Sequence, residues 1–413
     1  MERRSPLLII FFTVFIDLLG FGIVLPLLPR YAEYYHASGL VLGLLMASFS
    51  AMQFIFAPLW GRLSDRIGRR PVLLVGLLGS AVFYFLFAEI TRRGIEGGWL
   101  GWSPLTWLFL TRMGAGICGA TIPTAQAYIA DVTDEHHRGQ GMALIGAAFG
   151  IGFTFGPLIG AAFVPDVHQG SPSAAPGYVA SALSFMAFLW ALGMLPESLK
   201  LANLRRSSAW FALSGLQLAL QRPAVMPILS AIFLTTFAFT QFESTLSLLT
   251  ARLELGDRSN FFIFAYIGLI LALSQGFIVR RLIHRVGEFW MGLLGVSLMA
   301  AGFLGIGWAS GQRSIGWLLV VLPITVMGFS ACTPSLQALL SLHTPDDEQG
   351  GMLGVGQSLS ALARILGPAL ALPLQSWWLP LPYWVGACLM ILSAGLILSL
   401  WTQSRPPSTV AAP

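Results

Sequence analysis

Gly119-Ala-Thr-Ile-Pro-Thr-Ala-Gln-Ala127 returns 211 residues later as Ser330-Ala-Cys-Thr-Pro-Ser-Leu-Gln-Ala338, and at the same offset Gly156-Pro157 falls on Gly367-Pro368. One match of this kind can be chance; two at one offset mark an internal repeat. Both copies lie in long apolar stretches, so membrane helices are what is repeated. A crossing helix needs about 20 apolar residues, and twelve such segments run along the chain, at 7–29, 40–60, 71–90, 104–129, 141–164, 177–195, 225–249, 260–280, 289–309, 315–340, 351–375 and 380–401. The fold class expected is therefore an all-α membrane protein of two pseudo-symmetric six-helix halves around a midplane site, 1–196 and 225–413. A cytoplasmic linker, 197–224, joins them, with its Trp210 to Leu220 stretch partly on the membrane interface.

Composition agrees. Of 413 residues 56% are hydrophobic and 10% charged, against roughly 25% charged in a soluble domain. Too few polar residues remain to cover a soluble fold. The net charge of +5 sits in short clusters between apolar stretches, the pattern of loops sorted by the positive-inside rule and not of a groove tracking phosphates. No nucleic-acid partner is expected. Both termini in the cytoplasm give 15 basic residues inside and 6 outside, Arg30 among the latter, and leave Arg112 and Arg364 within the membrane. Met1 to Ile16 resembles a signal peptide, but the apolar run continues through Asp17 to Pro29 without a small-residue cleavage site, so it reads as a retained first helix.

Cys118, Cys332 and Cys388 lie in apolar segments without metal-ligand spacing, and His36, His136, His137, His168, His284 and His343 fall in loops or at helix ends. No disulfide framework, metal site or cofactor is indicated, and catalytic residues for an integral-membrane enzyme are lacking. Gly114-x-Gly116-x-x-Gly119 spells a dinucleotide fingerprint, but it follows no strand and lies inside a span. Its small residues, like those from Gly146 through Gly152 and Gly156 to Gly160, suit close helix approach.

Between the second and third spans stands Gly61-Arg-Leu-Ser-Asp65-Arg66-Ile-Gly68-Arg69-Arg70. It resembles the signature loop of the major facilitator superfamily at every defining position. Three further stretches resemble the drug/proton antiporter branch of that superfamily, in particular its tetracycline-exporter-like members: Asp17-Leu-Leu-Gly-Phe-Gly-Ile-Val-Leu-Pro-Leu-Leu-Pro29, Arg112-Met-Gly-Ala-Gly-Ile-Cys-Gly119, and Gly146-x-x-x-Gly150-x-Gly152-x-x-x-Gly156-Pro157-x-x-Gly160. In the second half the loop counterpart carries Arg280 for Gly61 and His284 for Asp65, which puts a symmetrical gate there in doubt. The resemblance implies that Asp65 caps the eleventh span near Gly350-Gly351, that Arg66 or Arg69 meets Asp131, and that Gly61, Gly68 and Arg70 belong to the same cytoplasmic gate. A static lock is the alternative. Pro157 is expected to bend span five, a bend the resemblance ties to antiport.

Ionisable groups inside a bilayer are costly and mark pathways. Four stand out, Asp17 with Arg112 in the first half and Glu243 with Arg364 in the second. Asp17 and Glu243 are the expected proton-coupling acids. Burial favours the protonated carboxyl and a nearby arginine the charged one, so withdrawing the arginine promotes proton uptake; fixed ion pairs holding helices together are the alternative. Arg112, Gly116, Gly119, Pro123 and Gln126 follow three- and four-residue spacing, as do Gln357, Ser360 and Arg364, so each set would share a helix face. With Gln241 and Gln337 they are expected to line a substrate cavity.

These readings converge on a secondary transporter, a proton-coupled antiporter exporting small amphipathic organic compounds by alternating access. Its expected partners are substrate, protons and lipid, as a monomer in a bacterial inner membrane. Organic-anion or metabolite transport, with Arg112 and Arg364 clamping an acidic group, is the rival within transport; a non-transporting receptor on a transporter scaffold is the rival outside it.

Overall fold

The apolar segments fold as helices in a computed structural model, which describes residues 6–94, 98–133, 135–164, 172–199, 222, 225–312, 314–344 and 349–403. Most of the expected linker, with its Trp210 to Leu220 stretch, lies outside the described residues. In chain order the helices are α1 (Pro6–Val24), α2 (Leu28–Tyr34), α3 (Gly39–Ile67), α4 (Arg69–Arg93), α5 (Pro104–Cys118), α6 (Ile122–Val132), α7 (Glu135–Ala161) and α8 (Ala175–Met194). They continue as α9 (Val225–Arg252), α10 (Asp257–Leu273), α11 (Arg280–Val286), α12 (Glu288–Gln312), α13 (Ile315–Leu342), α14 (Gln349–Trp377) and α15 (Leu381–Gln403), with a π-helical turn at Ser274–Val279 after α10. Among the described residues, eleven stretches are long and apolar enough to cross a membrane. The remaining expected span, 141–164, is α7, whose Ala148–Ala161 part forms a shorter apolar helix. The twelve-span multi-pass fold expected from the sequence is the one observed.

Local chemistry explains the boundaries. Ser38, Ser103 and Ser314 cap α3, α5 and α13 by accepting from the backbone N–H three residues on, as N-cap serines do. Pro29 and Pro123 stand in the first turns of α2 and α6, where a missing N–H costs nothing. Each proline therefore separates a membrane-length stretch into two helices, at 25–27 and 119–121. The carbonyls freed at the second break are not orphaned. Gln53 donates to the carbonyl of Gly119 at 3.2 Å and the Trp60 indole to that of Ile117 at 2.6 Å.

The chain forms two compact units. The first holds the described parts of 1–208 together with 244–272 and 368–373, the second the described parts of 209–243, 273–367 and 374–413. In the first unit α1 packs on α7 and α8, and α4 on α5 and α8. Leu27, Leu45, Phe87, Tyr128 and Ala180 are fully buried there. In the second, α12 packs on α13 and α15 over Val296, Leu336 and Ile397.

The repeat is visible in the backbone even where side chains diverge. Gly68 joins α3 to α4 with φ 106° and ψ 157°, and Gly287 joins α11 to α12 with φ 84° and ψ 158°. Positive φ of this kind is open to glycine and strained for other residues. The same glycine joint thus survives where Asp65 has been replaced by His284.

Candidate functional site

The Gly61–Arg70 loop is organised by two carboxylates that come from elsewhere in the first unit. Arg69 is buried, and its guanidinium donates to Ser64 Oγ at 2.7 Å, to Asp131 Oδ2 at 3.2 Å and to the Asp65 carboxylate. Asp131 also accepts from Ser198 Oγ at 3.0 Å. Of the two arginines expected near Asp131, Arg69 makes the contact; Arg66 is exposed. Arg70 donates through its guanidinium to the carbonyl of Leu192. Around Gly61 a side chain would meet nothing within 4 Å, so the structure gives no steric reason for glycine there.

Sequence reasoning missed Glu197. It follows α8 and accepts from the backbone N–H groups of Arg69 at 2.9 Å and Arg70 at 3.1 Å. Those N–H groups open α4 and have no partner within their own helix. A Cβ at Gly68 would run into the same carboxylate. Removing this cap in Glu197→Ala is expected to cost about 1 kcal/mol, read as lowered unfolding stability of the purified protein. Glu197→Gln retains an acceptor and should recover part of that loss; equal stability of all three proteins would show that the contact does nothing.

Asp17 and Arg112 also belong to the first unit. Asp17 sits in α1 with Ser80 as its polar neighbour, and its Oδ1 is buried without a hydrogen-bond partner. Arg112 is 2% exposed, and its Nε and Nη1 likewise lack partners. Its guanidinium carbon lies 4.4 Å from the Phe49 ring centroid and 5.9 Å from that of Phe21, distances at which aromatic faces attract a cation. Val24, Phe83, Tyr84, Phe87 and Thr111 enclose it further. No ion pair joins Asp17 to Arg112, so the alternative of a fixed pair holding helices together finds no contact here. Tyr84 stands within electrostatic range of both. Unpaired charge in a desolvated setting is expensive, and this cluster holds both a carboxyl oxygen without a donor and a cation with unspent donors.

In the second unit Glu243 and Arg364 attract each other electrostatically without forming a direct ion pair. Gln357 and Arg364 are both exposed on the uninterrupted α14, and Ser360 between them returns its hydroxyl to the carbonyl of Gly356 at 3.0 Å. Gln337 is exposed on α13. Gln241 departs from expectation, being buried and donating to the carbonyl of Pro382 near the start of α15. Its amide holds a helix and does not stand open to a substrate.

The face expected to run from Arg112 to Gln126 is also interrupted. The break at 119–121 ends the helical register, Arg112 is buried, and Gln126 is exposed on the following helix.

The glycines of α7 do pack closely. A Cβ at Gly152 would lie 3.0 Å from Leu18 Cβ, and one at Gly156 2.9 Å from Gly22 Cα. One at Gly160 would strike the Phe261 ring. Pro157 lies inside the continuous α7.

Comparison with known proteins covers nearly the whole chain. A family model described as Major Facilitator Superfamily matches residues 10–368. The class C tetracycline resistance protein of Escherichia coli is 31% identical over 406 residues, 95% of this chain and 96% of the relative. Human major facilitator superfamily domain-containing protein 10 is 31% identical over 420 residues, covering 89% of this chain and 87% of its own. The crystal structure titled as the human organic anion transporter MFSD10 (TETRAN) superposes with a TM-score of 0.68 at 28% identity, covering 96% of this chain and all of that one.

Proposed function

Because the chain belongs to the Major Facilitator Superfamily, and is thus a multi-pass membrane transporter and not an enzyme, we propose that it is a proton-coupled antiporter exporting small amphipathic organic compounds. It works by alternating access, as a monomer in a bacterial inner membrane with both termini in the cytoplasm. The observation that carries this reading is Asp17, a half-buried carboxyl in a membrane helix with one oxygen enclosed and unpaired. A carboxyl exists with or without its proton, and a substrate or a helix movement that changes its surroundings changes the balance between the two forms. Full-length similarity to a tetracycline resistance protein supports organic cargo and outward transport. Glu243 is the second proton-coupling acid. In the first unit Gln126, and in the second Gln337, Gln357 and Arg364, are polar groups left open on apolar segments and each is a candidate substrate contact; the Arg69–Asp131 contact is the cytoplasmic gate.

One observation favours a second reading. Arg112 keeps two N–H donors unspent, suited to a carboxylate or phosphate, and the similar human structure is titled as an organic anion transporter. Growth of an efflux-deficient bacterial host across antibiotics and cationic dyes separates the two. Export of amphipathic drugs gives resistance that Asp17→Asn removes. If wild type and Asp17→Asn grow alike although both reach the membrane, the drug reading falls. An anion carrier would instead show competition by small organic acids that Arg112→Ala abolishes.

A further inference from the structure

The connection between α4 and α5 holds a turn whose exposed side chains the fold does not use. Trp99 and Trp102 exchange backbone hydrogen bonds, the Trp102 N–H donating to the Trp99 carbonyl at 3.1 Å and the Trp99 N–H to the Trp102 carbonyl at 3.2 Å. Between them Leu100 and Gly101 have φ of 54° and 80°, the two-residue hairpin that favours asparagine, aspartate or glycine at its first place. Leucine is strained there, and its side chain is 75% exposed. Neither backbone geometry nor packing within the chain accounts for it. Trp102 beside it is likewise 51% exposed.

The turn is fastened at its base. The Trp99 ring stacks on that of Trp107 in α5 with centroids 5.1 Å apart, and the Trp107 indole donates to the Trp99 carbonyl at 2.9 Å. From α4 the Arg93 guanidinium lies 5.2 Å from the Trp99 ring centroid. Arg92 and Arg93 both donate to the Glu89 carboxylate, which also accepts from the Tyr178 hydroxyl at 2.9 Å. The charges at the base are thus matched, and from Gly98 to Pro104 the chain carries none. The level of the turn follows from α4, whose 25 residues at about 1.5 Å each outreach the roughly 30 Å hydrocarbon core. Its Arg92–Arg93 end, remote from the Gly61–Arg70 loop, therefore emerges among lipid headgroups, and the turn follows directly. That level suits tryptophan, whose ring is apolar and whose indole N–H needs an acceptor. The second repeat places aromatic rings at the same junction: between α12 and α13, the counterparts of α4 and α5, exposed Trp308 and Trp317 meet edge to face at 5.4 Å.

We propose that the Trp99–Trp102 turn is a lipid anchor. Leu100 and Trp102 seat in the headgroup zone of the leaflet remote from the Gly61–Arg70 loop, Leu100 against acyl carbons and the Trp102 indole N–H on phosphate or ester oxygens of a phospholipid. The anchor fixes the depth of the α4–α5 end. It needs only the membrane-spanning fold and is the same for any cargo, direction or coupling ion.

The test replaces Cys118, Cys332 and Cys388 by serine in the full-length protein, attaches bimane at Leu100→Cys and reconstitutes the protein in phosphatidylcholine vesicles. Two quenchers are compared: phosphatidylcholine with a nitroxide on its headgroup, and iodide on both sides of the membrane. The headgroup nitroxide should quench the dye, while iodide should quench it several-fold less than bimane-labelled cysteine free in water. Because the dye is itself apolar, Trp102→Ser is added to the labelled protein; it leaves the Trp99–Trp107 stack in place. Iodide quenching should then rise several-fold and nitroxide quenching fall, and Trp102→Phe should stay close to the parent. Iodide access equal to that of the free dye would overturn the anchor, because the turn would stand in water. Shielding from both quenchers would overturn it too, by showing that protein, such as a second copy of the chain, covers the turn. So would quenching that Trp102→Ser leaves unchanged. No substrate enters the assay, so its failure leaves the proposed export intact.

Discussion

Asp17→Asn is expected to bring proton-driven flux down to the level of empty vesicles while the protein stays folded and in the membrane. Asparagine has nearly the volume of aspartate and still offers a polar contact to Ser80, so α1 keeps its packing. What it loses is the ability to exist in two protonation states. A carboxylate with one oxygen buried and unpaired is costly in its charged form. A neutral amide at that position removes the cost, and unfolding stability should be unchanged or slightly raised. The measurement reconstitutes both proteins in liposomes with a trapped pH indicator, using the compound found by the growth panel. Wild type should acidify or alkalinise the lumen in step with substrate movement. Asp17→Asn should retain substrate-for-substrate exchange and lose the proton signal. Full coupling retained by Asp17→Asn would refute the role of this carboxyl.

The contrast between Asp17 and the other intramembrane charges shows what sequence can and cannot carry. That Asp17, Arg112, Glu243 and Arg364 are exceptional is legible from composition, because each interrupts a run of apolar residues. Whether two of them touch is not, since a difference of one helical turn or a neighbouring ring decides it. Arg112 spends its charge on Phe49 and Phe21, neither of which any spacing rule connects to it. The repeat and the twelve spans were readable because hydropathy acts over twenty residues and averages out local error. The break at 119–121 was not, because a proline early in a long apolar stretch is compatible with either a kinked helix or two helices. Glu197 escaped for a related reason: it lies at the edge of an apolar run, where a charge ordinarily faces water, and only the fold shows which donors meet it there. Polarity alone makes Gln241 a candidate cavity group, while its amide answers a carbonyl 141 residues away.

The glycines of the first unit yield the second large effect. α1 and α7 touch through backbone at Gly22 and Gly156, where a methyl group on Gly156 would lie 2.9 Å from two backbone atoms of Gly22 and one on Gly22 2.9 Å from the carbonyl of Gly152. No flexible side chain stands in the way to yield, so the helices themselves must part. Gly22→Ala and Gly156→Ala are each expected to cost about 1–3 kcal/mol. Because the first methyl already separates the helices, the second should cost less, and the double variant should lose less than the sum of the singles. Gly395→Ala, where nothing lies within 4 Å, is the control; alanine is the better helix former by about 1 kcal/mol, and stability should hold or rise. Additive losses at 22 and 156 would mean that the two positions do not share one contact. The same series separates packing from a bend. If the α7 glycines serve close approach, flux per folded molecule survives while stability falls. If Pro157 and its neighbours set a bend that coupling needs, Pro157→Ala loses flux at unchanged stability, and the two signatures fall on different residues of one helix.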